Sequence, residues 1–141
     1  MINNEKIVVV GSGYVGMSMA VLLAQNNDVV VLDIDQTRID KINNKQSTVV
    51  DPCIELFLSK KSLSIRATID KKTAYENASL IIVATPTDYD VDSNFFNTNS
   101  VDSVVRESLS FSNDALIVIK STIPVGHTKL LQSKFDTTRV I

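Results

Sequence analysis

Short apolar runs alternate with longer amphipathic segments along the chain. The runs are rich in valine and isoleucine, which is typical of strands that are buried on both faces of a sheet. They predict strands at 6–10, 29–32, 63–67, 80–84 and 115–119, and the start of a last strand at 139–141. Between them, apolar residues recur with the spacing of an amphipathic helix. This spacing predicts helices at 14–26, 36–44, 52–60, 70–77, 101–111 and 125–135.

Strands that alternate with helices pair in parallel, because each helix returns the chain to the same end of the sheet. Such crossovers are almost always right-handed. The predicted fold class is therefore α/β, a Rossmann-type doubly wound parallel sheet in three layers, α/β/α. Ligands of such sheets bind beyond the carboxyl ends of the strands. The residues of interest are those that follow the strands, at 11–16, 33–38, 85–87 and 120–126.

A glycine-rich turn follows the first predicted strand. Residues 11–16 read Gly-Ser-Gly-Tyr-Val-Gly and match G-x-G-x-x-G between a strand and a helix, which is the context that a dinucleotide-binding turn requires. Gly11 permits the tight turn, Gly13 lets a pyrophosphate approach the backbone, and Gly16 lets the helix pack closely on the strand. Amide groups near Tyr14 and Val15 would face the phosphates. A plain strand–helix turn is the alternative, but three of the four glycines of the chain stand at motif positions.

An acidic residue ends the second predicted strand. Asp33 lies 20 residues after Gly13, and a carboxylate there accepts hydrogen bonds from the adenosine ribose and repels a 2′-phosphate. The motif therefore favours NAD over NADP. Capping of the helix at 36–44 is a compatible second role for Asp33. Arg38 is interpreted either as a partner on the adenine side or as a solvated helix residue.

Hydroxyl side chains follow two further predicted strands. Thr85 precedes Pro86. Its hydroxyl is interpreted either as a hydrogen-bond partner of a dinucleotide or as part of a turn that ends the strand, and the sequence favours neither interpretation. Ser121 and Thr122 follow the strand at 115–119. Thr122 is expected to cap the next helix, with proline in its first turn, and to place a hydroxyl near a nicotinamide. Lys120 is expected to extend towards solvent.

Other polar residues carry weaker signals. The loop at 86–99 begins D-x-D-x-D but lacks the glycine and glutamate of a calcium loop, so we reject a calcium site. Its length is typical of a functional loop. Cys53 is expected to be a small buried residue of a helix that opens at Asp51, and His127 a solvated helix residue. The sequence contains no pattern that indicates a metal cluster.

The composition narrows the range of partners. Fourteen Lys and Arg residues against 16 Asp and Glu give a net charge of −2, whereas a nucleic-acid-binding surface normally carries a basic excess. The apolar runs are far shorter than the roughly 18 residues that span a bilayer. The single cysteine cannot form an internal disulfide, which is typical of a reducing compartment. We expect a cytoplasmic protein with no nucleic-acid or membrane partner.

Several segments, taken together and in order, resemble one known family. They are the glycine turn, Asp33, Ala-Thr-Pro-Thr-Asp-Tyr at 84–89, Asn-Phe-Phe-Asn at 94–97 and Lys-Ser-Thr-Ile-Pro-Val-Gly at 120–126. They look like the N-terminal domain of the UDP-glucose/GDP-mannose dehydrogenase family, and the resemblance covers essentially the whole chain. The glycine motif is common to many families. The segments Thr-Pro-Thr at 85–87 and Ser-Thr-Ile-Pro-Val-Gly at 121–126, in this order, are much more specific.

The resemblance implies an activity and a cofactor. Members oxidise the sugar C6 alcohol to a carboxylate with two NAD, through an aldehyde held on a cysteine, and UDP-glucose is the substrate that the loop at 88–97 favours. The resemblance also implies a homodimer for the full-length enzyme. Residues implied to bind the cofactor are Gly11, Ser12, Gly13, Tyr14, Val15, Gly16, Asp33, Arg38, Thr85, Pro86, Ser121 and Thr122. Thr122 is also implied to be catalytic, because it would lie near the catalytic water.

Residues 139–141, Arg-Val-Ile, look like the start of a strand. We therefore expect residues 1–141 to be an NAD-binding domain truncated from a longer enzyme, without its central helix and its C-terminal UDP-binding domain. Such a chain would bind NAD without turning over UDP-glucose, because Cys53 does not match the family's nucleophile. The alternatives are a sister enzyme that acts on UDP-N-acetylmannosamine or GDP-mannose, and a non-catalytic dinucleotide-binding module.

Overall fold

The computed structural model describes residues 4–60 and 62–141. Strands and helices alternate over most of this length. The strands are β1 (Lys6–Val10), β2 (Asp28–Leu32), β3 (Ile65–Thr68), β4 (Leu80–Val83), β5 (Asp88–Asp90), β6 (Phe95–Asn97) and β7 (Leu116–Ile119). The helices are α1 (Tyr14–Leu23), α2 (Gln36–Asn43), α3 (Pro52–Lys60), α4 (Lys71–Tyr75), α5 (Asn99–Phe111) and α6 (His127–Lys134).

Five of the strands form one parallel sheet in the order β3-β2-β1-β4-β7. The chain starts in the middle with β1, proceeds outward through β2 to β3, and then crosses back to β4 and β7 on the other side. Val8 of β1 accordingly pairs with Val30 of β2 and with Ile81 of β4. The winding reverses between β1 and β4, and this reversal places a ligand crevice at their carboxyl ends. The predicted doubly wound sheet is confirmed.

Alternate residues of the central strands supply two separate cores, one on each face of the sheet. Val8 and Val10 pack in a cluster with Val101 and Val105 of α5. Ile7 and Val9 face the opposite way and pack in a cluster that also contains residues of α1, α2 and α3. Side chains point to opposite faces at successive strand positions, so continuous apolar runs are required. The buried strands thereby hold the polar ends of the sheet in register.

The loop predicted at 86–99 contains a hairpin. β5 and β6 pair antiparallel, with Tyr89 opposite Phe96, and their rings lie 4.9 Å apart. The turn between them includes Asn94, whose φ of 52° lies in the left-handed region that asparagine tolerates. These strands are only three residues long, and runs this short give no clear alternation of apolar and polar residues to predict them.

The predicted elements are found, several with shorter bounds, whereas α5 begins two residues earlier than predicted. Helix α1 ends at Leu23 rather than at residue 26, and α6 begins at His127 rather than at residue 125. Gly126, with a φ of 88°, precedes α6. A residue with a left-handed backbone cannot be part of a right-handed α-helix, so α6 cannot include residues 125 and 126. The start of the last predicted strand is present as a parallel bridge between Val140 and Ile117.

Two predictions about single side chains were wrong. Cys53 is exposed, because α3 turns Ile54 and Leu58, which are one turn apart, towards the core. His127 is not solvated: its Nε2 lies 2.7 Å from Asp102 Oδ1, and only 11% of its side chain is exposed. The predicted opening of α3 is confirmed, since Asp51 Oδ1 accepts hydrogen bonds from the amides of Cys53 and Ile54.

Among the described residues, no helix combines the length and apolar character that crossing a membrane requires.

Candidate functional site

A cavity of about 860 Å³ opens at the carboxyl ends of β1, β2, β4 and β7. This volume lies within the range of small-molecule and cofactor sites. The glycine turn, Asp33, Arg38, Thr85, Pro86, Ser121 and Thr122 all contribute to its wall. Gly16 belongs to the turn but does not line the cavity. The structure thus brings together the segments that the sequence predicted to meet, although they are distant along the chain.

The fold itself requires two glycines of the turn. Gly11 has a φ of 102°, and a Cβ there would collide with the backbone carbonyl of Ala84. A Cβ on Gly16 would collide with the carbonyl of Gly11. The start of α1 therefore packs directly on the turn that follows β1. These two positions would demand glycine even in a protein that bound no ligand.

Gly13 differs from both neighbours. A Cβ there would meet no described atom within 4 Å, and its φ of −79° is open to any residue. Gly13 is also the N-cap of α1 and provides no side chain to bond the first amides of the helix. Such amides carry a partial positive charge and lack partners within the helix. An open approach to these amides fits the pyrophosphate of a dinucleotide.

Asp33 is held firmly by its neighbours. Its Oδ2 accepts a hydrogen bond from the Ser12 amide at 3.0 Å and another from the Ser12 hydroxyl at 2.5 Å, while Oδ1 accepts one from the Asp35 amide at 3.0 Å. Ser12 is almost completely buried. Its hydroxyl therefore orients Asp33, and this contact links the glycine turn to the end of β2.

The capping role considered for Asp33 falls to Asp35. Asp35 Oδ1 accepts a hydrogen bond from the Thr37 amide at 2.9 Å, and Asp35 is the N-cap of α2. Since Asp35 caps α2, Asp33 is not needed for capping, and it lies on the wall of the cavity. Arg38 lies next to it, with Nη1 3.5 Å from the Ser12 hydroxyl and Nε 3.9 Å from Asp35 Oδ2. Both contacts are long, so Arg38 stands beside the cavity without being locked in place.

The end of β4 is braced by the segment that follows β7. The Ser121 hydroxyl donates to the Thr85 carbonyl at 2.6 Å, and the amides of Lys120 and Ser121 both donate to the Val83 carbonyl. The Thr85 hydroxyl is buried and has no hydrogen-bond partner among the described residues. A buried hydroxyl without a partner is costly, and this one belongs to a residue of the cavity wall. A cofactor with a polar atom at this position would give the Thr85 hydroxyl a hydrogen-bond partner.

Thr122 does not cap the helix that follows it. Helix α6 begins five residues later at His127, with Gly126 as its N-cap. The predicted capping role is therefore wrong, and the physical reason is the left-handed backbone at Gly126, which separates the two. Thr122 is exposed on the cavity wall, as is Lys120. Thr122 nevertheless lies at this end of the cavity, where the sequence predicted a hydroxyl.

Contacts from the segment before α3 were missed by the sequence analysis. The Thr48 hydroxyl donates to the Ser12 carbonyl at 2.5 Å, and the Tyr14 hydroxyl donates to the Val50 carbonyl at 3.1 Å. These contacts join the glycine turn and the start of α1 to the segment that precedes α3. Neither Thr48 nor Val50 belongs to a motif, and nothing in the local sequence pattern would have indicated that they contact the glycine turn.

A parallel sheet, a glycine turn beneath an open helix terminus and a fixed acidic residue at the end of the second strand define a dinucleotide-binding domain of the Rossmann type. The family model described as "UDP-glucose/GDP-mannose dehydrogenase family, NAD binding domain" matches residues 5–139. The chain therefore belongs to this family, as its NAD-binding domain, and NAD is its cofactor.

Individual relatives agree with this assignment. The chain is 45% identical over 136 residues to a UDP-glucose 6-dehydrogenase from Streptococcus pneumoniae, covering 96% of this chain and 34% of the relative. It is 42% identical over 138 residues to the enzyme of the same name from Campylobacter jejuni, covering 96% and 35%. A UDP-glucose dehydrogenase structure from Pyrobaculum islandicum superimposes with a TM-score of 0.83 at 22% identity, covering 94% and 32%. The chain thus spans about a third of the length of these relatives.

Proposed function

We propose that this chain provides the NAD site of an enzyme that oxidises UDP-glucose to UDP-glucuronate with two NAD. The observation that carries this proposal is the 45% identity to a UDP-glucose 6-dehydrogenase over nearly the whole chain. The family also includes enzymes that act on GDP-mannose. The residues that select the sugar are not identified in this chain, so a sister enzyme on another nucleotide sugar is the alternative.

The cavity supports one orientation of the cofactor. We propose that Asp33 binds the adenosine ribose, that the amides of Gly13, Tyr14 and Val15 face the pyrophosphate, and that the nicotinamide end lies towards Thr85 and Thr122. The support is the order of these groups along the sheet edge, from β2 through β1 to β4 and β7. Pro86 lies on the same wall, and its carbonyl accepts a hydrogen bond from the Ser100 hydroxyl.

Several of the predicted residues act through others in this proposal. Ser12 positions Asp33, and Ser121 positions Thr85, because their hydroxyls are engaged with those residues. Gly11 and Gly16 permit the turn and the helix packing. Arg38 stands on the outer side of Ser12 and is proposed to lie near the adenosine end.

Bound NAD supplies a two-electron oxidant for an alcohol. The contribution proposed for this chain is to hold the dinucleotide and to place the Thr122 hydroxyl at the reacting end, where it would orient a water molecule. The homodimer, the cytoplasmic location and the presence of further catalytic and UDP-binding domains stay predictions. So does the expectation that residues 1–141 alone bind NAD without oxidising UDP-glucose.

Cofactor choice tests the proposed orientation. Titration calorimetry should show that the chain binds NAD at least about tenfold more tightly than NADP, because a carboxylate held at the ribose repels a 2′-phosphate. Asp33→Ala should narrow this ratio, chiefly by weakening NAD binding. Asp35→Ala is the matched control, since it removes a nearby carboxylate that caps α2. Equal affinities of the wild-type chain for NAD and NADP would contradict the role given to Asp33.

A further inference from the structure

The wall of the cavity continues beyond Asp33 to a region that the glycine motif does not explain. Its apolar part is formed by Ile34, Ile69 and Val104, and its polar part includes an ion pair between Lys71 of α4 and Glu107 of α5. With the ribose at Asp33, this region is where the base attached to that ribose would lie. This step rests on the cofactor orientation given under Proposed function.

Two exposed isoleucines offer the base an apolar contact. Ile34 directly follows Asp33 and is 95% exposed, and Ile69 follows β3 and is 52% exposed. Large aliphatic side chains left this open lose the stabilisation that burial gives. A planar base lying against them would recover part of it. Apolar contacts alone, however, do not distinguish one purine from another.

The Lys71–Glu107 pair supplies polar groups that could make that distinction. Lys71 Nζ lies 2.6 Å from Glu107 Oε1. Glu107 Oε2 accepts no hydrogen bond from any described residue, and an ammonium group carries more protons than this one contact uses. The pair therefore presents a free acceptor beside a free donor on the cavity wall.

A buried phenol lies close to Glu107 on the cavity wall. Burial, and next the negative charge of Glu107, raise the pKa of Tyr75, while a contact from Ser108 partly opposes this. Tyr75 is fully buried and stacks on Phe111 with ring centroids 5.9 Å apart. The phenol thus remains neutral, so the only charged acid group in this contact is the Glu107 carboxylate, which is itself 28% exposed.

We propose that Glu107 and Lys71 recognise the Watson–Crick edge of the adenine base and so select an adenine dinucleotide. Adenine presents an exocyclic amine as a donor next to a ring nitrogen as an acceptor. Glu107 Oε2 accepts from the amine, and Lys71 Nζ donates to the ring nitrogen. Hypoxanthine presents the reverse order, a carbonyl oxygen beside a ring N–H, and opposes both groups.

Nicotinamide hypoxanthine dinucleotide tests this assignment, because it differs from NAD only at that edge. The wild-type chain is expected to bind NAD about tenfold or more tightly than the hypoxanthine analogue, the value of one charge-assisted hydrogen bond. In Glu107→Gln the ratio should fall to within about twofold, since the new amide can donate to the carbonyl oxygen. Lys71→Met should keep a preference for NAD, because the carboxylate remains.

A matched control separates this effect from net charge. Glu55 is an exposed residue in the first turn of α3, outside the cavity wall, so Glu55→Gln should leave the ratio at the wild-type value. Thermal melting of each variant reports the purely structural role of the α4–α5 ion pair, which for an exposed pair is small.

Either of two results would overturn the adenine assignment alone: a wild-type ratio near one, or a ratio that Glu107→Gln leaves unchanged. If Glu107→Gln leaves the ratio unchanged and lowers the melting temperature as much as Lys71→Met does, the pair is a structural bridge between α4 and α5. A wild-type chain that bound neither dinucleotide would instead overturn the cofactor orientation, and this assignment with it. A wild-type chain that bound NAD but not selectively would overturn only the assignment.

Discussion

At the scale of single residues, identical glycines in the turn serve different purposes. Gly11 and Gly16 are required by contacts within the protein, since a Cβ at either would meet backbone atoms. A Cβ at Gly13 would meet nothing within 4 Å, so packing within the protein does not require glycine there, and the space is open to a ligand. The two neighbouring aspartates also serve different purposes. Asp35 caps α2, whereas Asp33 lies on the cavity wall.

The difference between Gly13 and Gly16 predicts different outcomes when each is replaced by alanine. Gly13→Ala should reduce the free energy of unfolding by no more than about 1 kcal/mol, the cost of a poorer N-cap, yet weaken NAD binding at least about tenfold by obstructing the pyrophosphate. Gly16→Ala should destabilise the fold by several kcal/mol, on the order of an overpacked core. Chemical denaturation and NAD titration measure the two effects. Equal losses of stability in both variants would contradict the distinction.

At the scale of elements, side-chain contacts join elements that are distant along the chain. Ser121 braces the end of β4, Thr48 holds the glycine turn, and His127 joins α6 to Asp102 in the first turn of α5. Each joins segments far apart in sequence. The last pair is mostly shielded from solvent, with side chains 11% and 19% exposed.

The His127–Asp102 pair should therefore couple α5 to α6 measurably. A double-mutant cycle with His127→Ala and Asp102→Ala is expected to give a coupling free energy of about 1 kcal/mol from denaturant unfolding. The Arg66–Asp28 pair, with side chains 51% and 31% exposed, provides the control. Its coupling should be smaller, below about 0.5 kcal/mol, because solvent screens exposed pairs. The prediction fails if both cycles give the same value.

At the scale of the whole molecule, the cavity lies across the point where the winding reverses. Residues of its wall come from the β2 side, such as Asp33, and from the β4 and β7 side, such as Thr85 and Thr122. A dinucleotide in the proposed orientation contacts both halves of the sheet at once. Binding should therefore stabilise the domain as a unit.

Thermal unfolding with cofactor measures this stabilisation. A free NAD concentration of about 100 times Kd should add about 2.7 kcal/mol to the free energy of unfolding. For a chain of this size that corresponds to a melting temperature raised by about 8 °C. NADP at the same concentration is the control and should raise it less. An unchanged melting temperature with saturating NAD would count against binding to the folded chain.

The order of the elements, the parallel sheet and the residues at its edge could all be predicted from the amino-acid sequence. Buried parallel strands need apolar runs, and ligand-binding residues follow those runs directly, so both are local patterns. It failed for Cys53, His127 and the cap at Thr122, where the orientation of a helix or one left-handed residue decided the outcome. It also gave no sign that Lys71 meets Glu107, or that Thr48 meets Ser12. Pairs like these depend on how distant segments pack, and only the tertiary structure decides which side chains then face one another.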